Sequence, residues 1–537
     1  MRVIHNVKWR APVSAALSIA LSLSSNVQAQ SVLTRGNHQD PASLDPHHVS
    51  TVYENNIVLD LFEGLTTVDT AGHPIPGVAE SWSVSDDGLT WTFTLRPDLK
   101  WSDGEPLTAD DVVYSFQRLM DPATASQYPY LLYALQNAES VNAGEAVPST
   151  LGVEATEPLE VVLRFATPVT YLLELLSNSF AVVVPRHAIT RYGEKWAAPG
   201  VMVSNGAFVL DAWRPQDRID LVRNTNYREA EIIALSQVIY MPTEDQSSAV
   251  ARFRSGELDT NLEFPTARTA WLQTNLPNET RIAPYLITFY LSFNTSRPPL
   301  SDVRVRRALS LAIDRHTLAE RVLRSGEQAA STFVPPYVSN YQPPGVEASS
   351  LSMEERLQKS RALLSEAGFG PNNPLRLTYS LSSAEDRMRV AAAVVAMWQE
   401  LGVKVSLYNT ESKILFSRLR SGDFEIGYAG WAADVNDAGN FLSILHSRAT
   451  NSNYARFNNG EYDDLLDRAS SEIDSKSRIS LLSKAESLLM LETPIAPLFH
   501  GVSKNLVGRH VEGWVDNSRD VHLSRYLTLV VEPSAEN

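Results

Sequence analysis

Asp434 closes the segment AGWAAD at 429–434 and stands near Asn436, Asp437 and Asn440, so its carboxylate could receive a ligand cation. A cation enclosed away from water needs such a partner. In the same company, the aspartate also reads as a solvated loop residue or a helix cap. Arg304, Arg306 and Arg307, three arginines in four residues, could hold an anion, although a solvated helix face accounts for them better. His47-His48 has no second ligand pair near it, and the chain has no G-x-S-x-G, no H-E-x-x-H and no S-x-x-K with its companion motifs. The chemistry on offer is holding a ligand, with no bond made or broken.

Secondary structure must place these residues. The run 423–428 alternates as a strand, and Gly427 and Gly430 are expected to let the backbone turn sharply before Asp434 while leaving room for another chain. In the block WTFTLRPDLKWSDGEPLTADDVVYSFQR at 91–118, Trp91, Phe93 and Leu95 alternate with Thr92 and Thr94, the period of a half-buried strand. Thr108 is placed to cap a helix whose first turn carries Asp110 and Asp111. The block DVRVRRALSLAIDR at 302–315 puts Val305, Ala308, Leu309, Ala312 and Ile313 on one helical face. Ser301 is its expected cap, and Pro298-Pro299 forbids an earlier start.

Residues 1–29 read as a secretory signal. Arg2, Lys8 and Arg10 precede an apolar stretch from about 13 to 23, and Val27-Gln28-Ala29 offers small residues for cleavage after Ala29. Losing those three cations takes the formal charge from −16 to −19, which disfavours nucleic acid as a partner. Without cysteine the chain can carry neither a disulfide nor lipid on an N-terminal thiol. An exported, unlipidated protein is expected in a periplasm. A length of 537 residues suggests three or four domain-sized units, and interleaved strand and helix patterns indicate an α/β architecture.

The two blocks, with SLDPH (43–47), DLFEGL (60–65), HPIPGVAESW (73–82), RFRSGELD (252–259), LLSEAGF (363–369) and AGWAAD, resemble the large solute-binding proteins of ABC importers, the oligopeptide-binding proteins above all. The resemblance implies a two-lobed, hinged, type II periplasmic-binding-protein fold with an extra inserted domain. Lobe I would comprise 30–62, 186–285 and 504–537, the insertion 63–185, and lobe II 286–503, with crossings near Ile287 and His500. In that family an aspartate at the place of Asp434 receives the peptide's α-ammonium group. Val52 would offer backbone groups to the ligand, Tyr128 would close over it, and Gly430 and Trp431 would line the same cleft.

Departures accompany the resemblance. Where relatives place basic residues for the ligand's carboxylate, this chain has Leu419 and Tyr428, with Arg420 adjacent to the first and Arg387 at another basic position. The paired cysteines of close relatives are Ile287 and Ala432 here. The expectation is a non-enzymatic receptor without cofactor or metal, a monomer that takes short peptides and hands them to an ABC permease in the inner membrane. A murein-peptide binder, a binder of another small solute and a peptide-holding chaperone are the alternatives.

Overall fold

A computed structural model describes residues 31–530, and the expected signal lies outside them. The molecule is an α/β protein built on one continuous eleven-stranded sheet. Two long antiparallel strands, Thr280–Phe293 and Ile495–Val507, occupy its middle. On one side follow Thr260–Leu262, Val32–Gly36, Gln237–Met241, Arg218–Arg223 and Phe208–Arg214. On the other lie Ile426–Ala432, Arg376–Ser382 and Lys404–Thr410, and the eleventh, Gln328–Ala329, pairs with Ile495–Val507 at His500 and Phe499. Almost every residue of Ile495–Val507 is buried, as expected of a strand covered on both faces.

The two long strands lose register between Pro284 and Thr288, opposite 500–502. Proline lacks an N–H for the ladder, so Pro284 fits at an interruption and would weaken a continuous central strand. Ile287 and Ala432 face each other across neighbouring strands.

A second, four-stranded sheet, Ala79–Val84, Thr90–Leu95, Glu160–Arg164 and Val153–Glu157, carries helix Ala109–Met120. Trp91, Phe93 and Leu95 are buried with Trp101 and Phe116 in its core, and the Trp91 and Phe93 rings stack. Asp111 accepts from the Thr108 N–H at 3.0 Å, closing the first turn. Arg118, at the end of the first block, grips Asp45 of SLDPH through two bonds of 2.9 and 2.6 Å and donates to His47 Nδ1 at 2.8 Å. Burial, with the Arg118 charge added, pushes His47 down to about 3 and keeps it neutral.

The second block differs from expectation in two ways. Asp302, rather than Ser301, caps helix Val303–Leu311, accepting from the Arg304 N–H at 2.8 Å. Its arginines divide: Arg304 is exposed and Arg307 half-buried, as a solvated face requires, pairing with Asp302 and Glu347, while Arg306 departs from it. Arg306 is buried and spends its guanidinium on the carbonyls of Leu300, Ser301, Glu492 and Thr493. Arg315 does the same with Ser310, Ile313 and Pro497. A planar five-donor group can satisfy several loop carbonyls at once, which is why these positions hold arginine.

Candidate functional site

The register break opens onto a cavity of about 720 Å³. Three separate chain segments meet there. The first is the turn before helix Val52–Leu61, fixed by the buried Glu54 carboxylate, which accepts from the N–H groups of Ser50 at 2.8 Å and Thr51 at 3.0 Å. Val52 lines the cavity as the first helical residue, so its N–H has no acceptor within the helix. The second segment brings Tyr128, stacked on Phe180 at 5.4 Å, its hydroxyl donating to the Ser50 carbonyl at 3.3 Å. The third is the loop after strand Ile426–Ala432, which carries Asp434.

Within that loop the polar side chains divide their tasks. Asp437 caps helix Ala438–Leu442 and pairs with Arg478 at 2.7 and 2.9 Å. Asn436 exchanges two hydrogen bonds with Ser339. Asn440 Oδ1 accepts from the Trp431 indole at 3.1 Å and the Asp434 N–H at 3.2 Å. Asp434 alone keeps a buried carboxylate oxygen, Oδ2, with no partner. Burial holds its carboxyl above the ordinary range, with hydrogen bonding from Asn440 and Tyr130 opposing. No Lys or Arg pairs with it among the described residues. A buried acid without a countercharge can accept a cation.

Val52, Tyr128 and Asp434 therefore meet in one cavity with Ala432 and Asn436, while Gly430, Trp431, Leu419, Tyr428, Arg387 and Arg420 stand off its lining. Trp431 steers Asn440, and so the Asp434 loop, from behind. Gly430 does not turn the chain: the strand runs through Gly427 and Gly430 to Ala432. A Cβ on Gly430 would approach Phe289 to 2.8 Å and one on Gly427 would meet Leu419 at 2.3 Å, so the room they leave is taken by core side chains. Leu419 and Tyr428 are core residues. Arg387 donates to Ser382 at 2.5 Å and lies over the Tyr428 ring, and Arg420 is exposed on helix Ser412–Ser421. Sequence reasoning missed Glu263, Tyr285 and Asp520, which also line the cavity. Glu263 and Asp520 hold φ of +63° and +54°, a backbone state no local pattern announced.

Comparison with known proteins gives concordant results. The model of the bacterial extracellular solute-binding proteins, family 5 (middle), matches residues 73–453. The periplasmic murein peptide-binding protein MppA of Escherichia coli K12 is 35% identical over 98% of this chain and 99% of its own. The periplasmic oligopeptide-binding protein OppA of Salmonella typhimurium LT2 is 37% identical over 94% of this chain and 93% of its own. The solved unliganded, open form of MppA superposes with a TM-score of 0.83 at 35% identity, covering 93% of this chain and 98% of that one.

Proposed function

Because the chain belongs to family 5 of the bacterial extracellular solute-binding proteins, we propose that it is the periplasmic receptor of an ABC peptide importer. It binds short oligopeptides through main-chain contacts and an ammonium–Asp434 pair, and delivers them to a permease in the inner membrane. The carrying observation is the unpartnered, buried Asp434 oxygen in a cavity of about 720 Å³. Main-chain pairing ignores side-chain identity, so one site can serve many sequences. The lobes are 30–62 with 186–285 and 504–537, and 286–503, with 63–185 inserted. The register break at 284–288 supports a hinge there. Export by residues 1–29, without a lipid anchor, and action as a monomer complete the reading.

Calorimetry with a tripeptide and its N-acetyl and C-amide forms tests it. Losing one partner of an enclosed charge pair costs about 2–5 kcal/mol, so acetylation should weaken binding roughly thirty- to several-thousand-fold. Amidation should change affinity only a few-fold, because Arg387 and Arg420 both stand off the cavity. Equal affinity for free and acetylated peptides would remove the amine-pairing site. Similarity to MppA along the full chain favours a second reading, a murein-peptide receptor. Competition between a murein tripeptide and trialanine separates the two.

A further inference from the structure

Among the described residues, three of the acids that line the cavity have no lysine or arginine paired with them. Glu263 and Asp520 share it with Asp434. Glu263 receives only neutral donors, Gln246 Nε2 at 3.0 Å and the Tyr53 hydroxyl at 3.5 Å. Asp520 meets Asn505 Nδ2 at 2.7 Å and His522 Nε2 at 3.0 Å. All three carboxylates share the cavity lining with Tyr285. After burial, it is the charges of Asp520, Glu263 and Asp434, in that order, that hold its hydroxyl above the ordinary range.

Two cationic side chains line the same cavity, and both are already committed. Lys504 Nζ has three donors and three acceptors: Thr266 Oγ1 at 2.9 Å, Ser325 Oγ at 3.2 Å and Glu327 Oε1 at 3.3 Å. Arg519 is turned away into Glu174 at 3.2 Å, Ser177 at 2.9 Å and Asn178 at 3.1 Å. At the mouth, Asp386 is matched by Arg389 on the same helix, and Glu385 adds one more exposed carboxylate. The inner wall therefore presents three acids and no free cation among the described residues.

Resting on the peptide reading above, we infer that this receptor selects its ligands by net charge, taking peptides that carry a cationic side chain besides the terminal ammonium and rejecting acidic ones. Asp434 is matched by the ammonium; Glu263 and Asp520 are left to be matched by a lysine- or arginine-type side chain. An acidic side chain in their place has no partner and faces two like charges in a partly enclosed space.

The test is a titration of Ala-Lys-Ala, Ala-Gln-Ala and Ala-Glu-Ala at low and high salt. Affinity should fall in that order by about tenfold per unit of charge, the scale of a pair ~10 Å apart near a protein surface. The spread should shrink at high salt as screening shortens to a few ångströms. Glu263→Gln and Asp520→Asn should each narrow it. If all three peptides bind equally, the charge selection is overturned and the peptide receptor stands. If none binds, the peptide reading falls, and the charge inference falls with it. The wild-type series needs no substitution to decide.

Discussion

In the proposed reading recognition turns on Asp434, and its protonation has a definite sign. Burial raises its carboxyl above the ordinary range in the empty site, and a bound ammonium requires the ionised form. Affinity for a free-amine peptide is thus complete above that raised pKa and is lost as pH falls through it. Asp434→Asn should remove this acid limb and cost about 2–5 kcal/mol of binding at neutral pH, read by calorimetry across pH. An unchanged acid limb in the variant would assign it to another group. The sequence displayed Asp434, Asn436, Asp437 and Asn440 together and could not rank them, because their roles are set by Arg478, Ser339 and Trp431, which lie elsewhere in the chain. Glu263 and Asp520 were illegible for a stronger reason. They are more than 250 residues apart, and the sheet alone brings them together.

Among the elements, helix Ser475–Glu492 has a part that its sequence conceals. Its Glu486 is fully buried and accepts from the N–H groups of Phe333 at 2.8 Å and Val334 at 2.7 Å and the Tyr341 hydroxyl at 2.6 Å. The segment so pinned donates from Tyr337 to the Tyr285 carbonyl at 2.8 Å and holds Asn436 through Ser339, so it braces both the crossing strand and the Asp434 loop. Burial pushes Glu486 up to about 7, above its ordinary 4.5. The folded state therefore holds a proton that the unfolded chain releases. The resulting stability is full below about 4.5 and lost as pH rises through about 7. Between those limits wild type should gain on the order of 2 kcal/mol over Glu486→Gln as pH falls, measured by urea unfolding. Parallel pH profiles would sink the idea. Apolar periodicity can reveal that a helix of this kind exists. It could not reveal a buried acid, since a glutamate at a helical position reads as solvated unless its partners are known.

At the scale of the whole molecule, two lobes joined by two strands can enclose a ligand only by rotating together. Small-angle scattering should show a smaller radius of gyration with saturating Ala-Lys-Ala than in ligand-stripped protein; identical values for both would argue against hinge closure. The α/β class and the family were legible in a few blocks because those blocks are local: a strand, a turn and a capped helix in one run. The sheet order was not, because it joins segments hundreds of residues apart. Strand Val32–Gly36 sits between Gln237–Met241 and Thr260–Leu262, and the latter pairs with the last residues of Ile495–Val507. The central sheet cannot be completed until nearly the entire polypeptide exists. Distant pairings of this kind must close large loops before they are rewarded, so they form slowly. Until Ile495–Val507 has been synthesised, Thr260–Leu262 and Thr280–Phe293 both lack the partner that joins them, so the two halves of the sheet stay separate in any shorter nascent chain.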